Sequence, residues 1–267
     1  DCSWSRGLGD VYKRQLQDTE IPPFAFAKVS MDLSGPYPTS QRGNRYIMSF
    51  VDWYSGWPEA FPLKDKSATT IANLILNEIF PRFGSCLCIV SDNGTEVDNK
   101  VVREVFQKLN IHHIKTSTYH PCSNAKVERF HGTLHDVLAK RLNGLCDTWD
   151  EELNQTLAAI RFNSSETTGH SPFFLLYGRD VILPVDNLLK PHRKYCGEEE
   201  HKHTLQAQHE AFVRVYRRTK KCKKRQAKYA DKGTVPVEFK VGDPVYLKVH
   251  QRAVSYTHLT LPTRLLV

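Results

Sequence analysis

Cys86-Leu87-Cys88-Ile89-Val90-Ser91-Asp92-Asn93-Gly94 runs from an apolar stretch directly into an acid and a turn. A short apolar run with β-branched character, closed by a turn former, predicts a fully buried strand over residues 86–91. Asp-Asn-Gly supplies the turn, because Asp and Asn side chains bond their own backbone and Gly tolerates positive φ. Asp92 then stands where a buried strand surfaces. Upstream, residues 28–33 (KVSMDL) predict a short buried strand, and residues 45–53 (RYIMSFVDW), aromatic and β-branched, predict a second. Ser55-Gly56 turns the chain so that residues 57–63 pair back as a hairpin. Ser67 is a fitting N-cap for a helix whose apolar face is Ile71, Leu74, Ile75 and Ile79, with Pro81 and Gly84 ending it. Downstream the spacing predicts a helix over 99–109, a strand over 111–116, a loop over 117–121 and a helix over 123–142. The face of that last helix is Val127, Phe130, Leu134, Val137 and Leu138. Residues 149–162 and 172–177 also read as helical. Strands interleaved with helices in this order predict an α/β fold, a mixed five-stranded sheet flanked by helices.

Composition and charge narrow the partner. The net charge is +8, and residues 214–228 (RVYRRTKKCKKRQAK) hold no acid, which suits a polyanion. No apolar run reaches the roughly 20 residues of a membrane helix, and the start lacks a secretory pattern. The seven cysteines form no CxxC pair and read as reduced thiols of an intracellular protein. His112-His113 and His201-Lys202-His203 lack partner cysteines at zinc spacing, so no zinc site is expected and they read as surface or loop histidines. Residues 1–15 and 253–267 show no periodicity and read as non-native, adapter-like tails. Between them the expected organisation is a core over 20–180, a linker over 181–202 and a basic helix over 203–232.

Among 29 acidic residues a set of three carboxylates means little. Setting means more. Asp32 falls among Val29, Met31 and Leu33, Asp92 ends an apolar strand, and Glu128 lies near the start of a core-facing helix. Acids embedded in apolar elements are costly unless paired or bound to a cation. Three from different elements suggest one site for Mg²⁺, which prefers oxygen ligands. The plainer alternative is that Asp92 only makes its turn and Asp32 only caps.

Three motifs bear on that choice: Met31-Asp32-Leu33-Ser34-Gly35-Pro36, Val90-Ser91-Asp92-Asn93-Gly94-Thr95-Glu96, and the run Tyr119-His120-Pro121-Cys122-Ser123-Asn124-Ala125-Lys126-Val127-Glu128-Arg129-Phe130-His131. With 35 residues between Asp92 and Glu128, the chain resembles the integrase core of Ty3/gypsy-type retrotransposons and retroviruses. The likeness continues through residues 168–179 and into 239–247. It implies a ribonuclease-H-like fold, and it implies DNA 3′-end processing followed by strand transfer. It makes Asp32, Asp92 and Glu128 the catalytic metal ligands, for Mg²⁺ or Mn²⁺ and for two ions. It also implies DNA as partner, self-association, action in the nucleus, and an SH3-like module beginning over 235–252. Cys122 and Ala125 depart from the family's usual Gln and Gly. A decayed or host-adopted integrase that only binds DNA therefore stands as the alternative, while a ribonuclease H is disfavoured by the motif around Glu128.

DNA contacts are expected from two places. Asn124, Lys126, Arg129, His131 and His135 lie on or beside the helical face of Glu128. Arg217, Arg218, Lys220, Lys221, Lys223 and Lys224 would neutralise phosphates. A solvated helix face or a nuclear-targeting patch would use the same residues.

Overall fold

The computed structural model describes residues 21–92, 94, 99–115, 125–142, 147–189 and 198–230. In chain order the elements are β1 (Lys28–Ser34), β2 (Tyr46–Asp52), β3 (Pro58–Leu63), α1 (Ala68–Leu74), a π-helical stretch (Ile75–Ile79) and α2 (Phe80–Phe83). There follow β4 (Cys88–Ser91), α3 (Lys100–Lys108), β5 (His112–Lys115), α4 (Ala125–Leu142), α5 (Trp149–Phe162), α6 (Pro172–Tyr177), α7 (Pro184–Leu189) and α8 (Glu198–Ala230). The strands form one sheet in the order β3-β2-β1-β4-β5. β1 runs antiparallel to β2 and parallel to β4, so the hairpin and the crossover meet on the central strand. The mixed five-stranded sheet flanked by helices expected from the sequence is the observed one.

Side-chain alternation along each strand builds a core on either face. Val29 and Met31 of β1, with Met48 and Phe50 of β2, pack against Ile71, Ile75, Val102 and Phe106. Ile47 and Val51 of β2 point the other way, onto Val127, Phe130, Leu134 and Leu138 of α4 and Leu153 and Leu157 of α5. Each such side chain contributes about 1.5–3 kcal/mol when fully buried. On this second face β1 presents Ser30 and Asp32, and Asp32 stands opposite Ser49 of β2. Small polar residues there let α4 approach the sheet beside the acid.

The helix ends follow local chemistry. Ser67 Oγ accepts the Thr70 N–H at 3.2 Å, and Asn99 caps α3 in the same manner. Pro81 does not end the first helical run, contrary to expectation. It falls in the first turn of α2, where a missing N–H costs little, and Gly84 at φ +77° ends the run. The strand expected from residue 86 begins at Cys88, and Leu87 is left 57% exposed. His112 and His113 lie on edge strand β5, within the strand expected over 111–116; His112 is exposed at the surface, and His113 Nε2 pairs with Ser91 Oγ at 2.8 Å.

The stretch expected as a linker, 181–202, contains α7 and the first residues of α8. Pro184 presets a helical φ and Asp186 Oδ2 accepts the Leu183 N–H at 3.0 Å. Residues Thr19–Lys223 form one compact unit, which holds the sheet and both cores. Asp1–Asp18 with Lys224–Val267 form a second, in which only 224–230 are described. The expected terminal tails, the 117–121 loop and the module over 235–252 lie outside the described residues. No helix among the described residues is long and apolar enough to cross a membrane.

Candidate active site

Parallel pairing sets the site. The last paired position of β1 and β4 is Ser30 with Val90, and two residues further along each strand stands an Asp, Asp32 and Asp92. Both acids therefore stand side by side on the same face of the sheet, at two of its inner strands. Glu128 lies in the first turn of α4, whose neighbouring Val127 is fully buried on β2. Asp92 and Glu128 are exposed, while the Asp32 side chain is only 20% exposed.

Their charges act on one another. Burial first, then the negative charge of Asp92 and more weakly that of Glu128, push the Asp32 carboxyl from its ordinary 3.8 up to about 6. The Leu33 N–H, donated to Asp32 Oδ1 at 3.0 Å, pulls the other way. Among the described residues, no three His, Cys, Asp or Glu side chains are gathered into a ready-made metal site. The acids thus interact through charge and do not form a closed ligand cage. A donor set of carboxylates alone, carrying excess like charge, suits a hard divalent cation.

The expected DNA contacts divide. His131 Nδ1 lies 3.6 Å from Asp32 Oδ2, and burial together with His135 lowers its pKa to about 4. Its imidazole is therefore neutral at pH 7 and is no phosphate counter-charge. His135 Nε2 pairs with the Tyr37 hydroxyl at 2.6 Å, and that hydroxyl donates to Ser34 Oγ at 2.9 Å. Lys126 is turned inward and its ammonium donates to the Trp53 carbonyl. Burial lowers its pKa to about 8, with Lys223 and Arg129 adding to the effect and Asp52 opposing it. Arg218 donates to the Glu166 carbonyl at 3.0 Å and so ties α8 to the 163–171 loop. Arg129, Arg217, Lys220, Lys221 and Lys224 are exposed, and Lys223 is half-buried. Asn124 and Cys122 lie outside the described residues.

One organising residue was not singled out from the sequence. Asp52 is fully buried at the end of β2. Its Oδ1 accepts the Phe26 N–H at 2.9 Å and its Oδ2 accepts Ser55 N–H and Oγ–H at 2.8 and 2.6 Å. The signal was available in Asp52-Trp53-Tyr54-Ser55-Gly56, an Asx-type turn sequence following a strand.

Residues 25–121 match the family model of the integrase core domain. This chain contains an integrase core domain. The match covers β1 through β5 and stops before α4, so Asp32 and Asp92 lie inside it and Glu128 outside. The chain is 26% identical over 232 residues, 86% of its length, to the retrovirus-related Pol polyprotein from transposon 412 of Drosophila melanogaster. It is 34% identical over 213 residues, 78% of its length, to the Pol polyprotein of Radiation murine leukemia virus (strain Kaplan). It spans only 19% and 35% of those relatives' own lengths. In fold, this integrase core resembles a chain of the simian T-cell lymphotropic virus intasome. The TM-score is 0.54 at 19% identity, covering 70% of this chain and 62% of that one.

Proposed function

We propose that this chain catalyses metal-dependent DNA 3′-end processing and strand transfer, integrating a retrotransposon or retrovirus-like element. The observation that carries the proposal is the convergence of charge on one sheet face of an integrase core, where Asp92 and Glu128 both load the half-buried Asp32. Asp32, Asp92 and Glu128 would hold Mg²⁺ or Mn²⁺. When bound, such ions neutralise the phosphodiester and activate the attacking oxygen. The chain's own residues set the stage. β1 and β4 deliver two carboxylates side by side, and α4 adds the third. His131 of α4, its ring nitrogen 3.6 Å from Asp32 and its imidazole neutral, adds no positive charge beside the acids. DNA is the proposed partner, and the exposed cations Arg217, Lys220, Lys221 and Lys224 are proposed to meet its phosphates. Self-association and nuclear action belong to the same proposal.

The test is joining of a labelled duplex bearing a free 3′-hydroxyl to a plasmid, with Mn²⁺ or Mg²⁺. Asp92→Asn and Glu128→Gln should each abolish joined product while leaving the melting temperature near that of the parent. Undiminished joining by either variant would remove the metal-site reading.

A further inference from the structure

Where α4 packs on β2, the contact is apolar except at one matched point. On β2, Ile47 and Val51 bracket Ser49, and on α4, Val127 and Leu134 bracket His131 at helical spacing. Ser49 stands directly opposite Asp32 of β1, which puts their Cβ atoms about 4.5–5.5 Å apart on one face. His131 comes down on the same carboxylate from α4, with Nδ1 3.6 Å from Asp32 Oδ2. Ser49 is fully buried, and so is the far ring nitrogen of His131, Nε2. Among the described residues neither Ser49 Oγ nor His131 Nε2 has a hydrogen-bond partner. Their polar neighbours are already engaged. Ser30 Oγ, on the same face of β1, accepts the Trp53 indole N–H at 2.8 Å, and His135 Nε2 pairs with the Tyr37 hydroxyl.

The two orphaned atoms are complementary. An ionised carboxylate only accepts, so the imidazole nitrogen that faces Asp32 is the donor, Nδ1–H. The other nitrogen of a neutral ring is then a bare acceptor, and that is the buried Nε2. On the facing strand the Ser49 hydroxyl brings a proton to donate. Leaving both groups unpaired in an apolar layer is costly. Buried polar atoms without a protein partner are met in folded proteins by internal waters, each held by two to four polar groups. A donor on β2, an acceptor on α4 and a carboxylate between them make such a setting.

We propose that a water is held between Ser49 Oγ and His131 Nε2, and that through it Ser49 and His131 act as positioning residues for the Asp32 carboxylate. The water accepts the Ser49 O–H and donates to Nε2, which fixes the imidazole as an Nδ1–H donor. Asp32 then has a donor for each oxygen, the Leu33 N–H at 3.0 Å from Oδ1 and His131 beside Oδ2. Two such donors set the plane of the carboxylate and leave its remaining lone pairs for a cation. The catalytic meaning of this arrangement rests on Asp32 being a metal ligand. The water itself does not.

The experiment compares Ser49→Thr with Ser49→Val in the full chain. The two replacements have nearly the same shape and differ in one hydroxyl, so the effect of the added carbon is common to both. Histidine-selective isotope-edited NMR spectra are taken without metal, with the His131 signals assigned by their loss in His131→Gln. Parent and Ser49→Thr should show His131 protonated on Nδ1, with Nε2 a hydrogen-bonded acceptor. In Ser49→Val the Nε2 resonance should move to that of a nitrogen without a hydrogen bond. A crystal structure of the metal-free parent should place a water within about 3.2 Å of both atoms. Titration with Mn²⁺ should find Ser49→Val at least about tenfold weaker than Ser49→Thr. A parent that binds no Mn²⁺ would remove the metal-site reading alone, and the spectra and the crystal structure would still decide the water. A parent His131 protonated on Nε2, a direct bond from Ser49 Oγ to His131 Nε2 with no water between, or indistinguishable spectra of the two variants would each overturn the proposal. Equal Mn²⁺ affinities in the two variants, beside a parent that binds the ion, would overturn the positioning role.

Discussion

Asp32→Asn should make the protein more stable and blind to divalent metal. Raising a carboxyl from 3.8 to about 6 on folding costs the ionised form about 3 kcal/mol, at 1.36 kcal/mol for each pH unit. Below pH 3.8 both folded and unfolded chains are protonated, and the cost is absent. Between about pH 4 and 6 the folded state binds more protons than the unfolded, so stability falls as pH rises, and above 6 the full cost is present. Asparagine removes the charge and keeps an oxygen for the Leu33 N–H. At pH 7.5 without metal the variant should gain about 2–3 kcal/mol, which for a unit of this size raises Tm by roughly 4–12 °C. The advantage should shrink towards zero at pH 4. Millimolar Mg²⁺ should raise the parent's Tm and leave that of the variant unmoved. Thermal melts at both pH values, with and without Mg²⁺, decide the matter. A variant no more stable than its parent at pH 7.5, or one whose advantage is the same at pH 4, would show that folding places no such burden on the Asp32 carboxylate.

Arg161 pairs with Glu59 at 3.0 Å, donates to the Pro58 carbonyl, and covers the Trp57 ring at 4.5 Å. Arg161→Met should cost about 1.5–3 kcal/mol in urea denaturation, because Glu59, 3% exposed, loses one charged partner while keeping Arg82 and the Trp57 indole. Adding Glu59→Gln should recover part of that loss. Gly169 has φ +78°, and a Cβ there would meet the Arg218 guanidinium. Gly169→Ala should therefore loosen α8 from its seat, read as faster proteolysis within residues 198–223 at little cost to the sheet. Neutralising Arg217, Lys220, Lys221 and Lys224 together should flatten the dependence of DNA affinity on salt, by about 0.9 in log–log slope for each phosphate no longer neutralised. An unchanged slope would show that these residues do not meet DNA.

The sheet was legible because each strand carries its own signature. Alternation in Tyr46–Asp52 and the apolar run before Asp92 are local patterns, and turn residues bound them. The two aspartates could be placed for the same reason, since each lies on or beside a readable strand. Pro81 misled because a π-helical stretch shifts the hydrogen-bond register ahead of it, and no side-chain pattern announces that shift. The α7 turn was hidden in a segment short enough to pass as a connection. Lys126 misled for a different reason. Charge on a helix beside an acid suggests a solvent-facing contact, whereas its partner is a backbone carbonyl 73 residues earlier. Such long-range bonds depend on how layers stack, which periodicity does not encode. Asp52 lay between these cases: its turn was readable, its bond to Phe26 was not.

The bond from Lys126 to Trp53 fastens the acid-bearing helix to main chain and not to a side chain. A carbonyl is the same whatever residue owns it. Substitutions at position 53 can erode the indole, with its bond to Ser30 and its contact with Lys28, without severing this tether. Substitutions at the hairpin tip would thus leave the start of α4 in register. The placement of Glu128 is thereby insulated from the identity of the side chain at position 53.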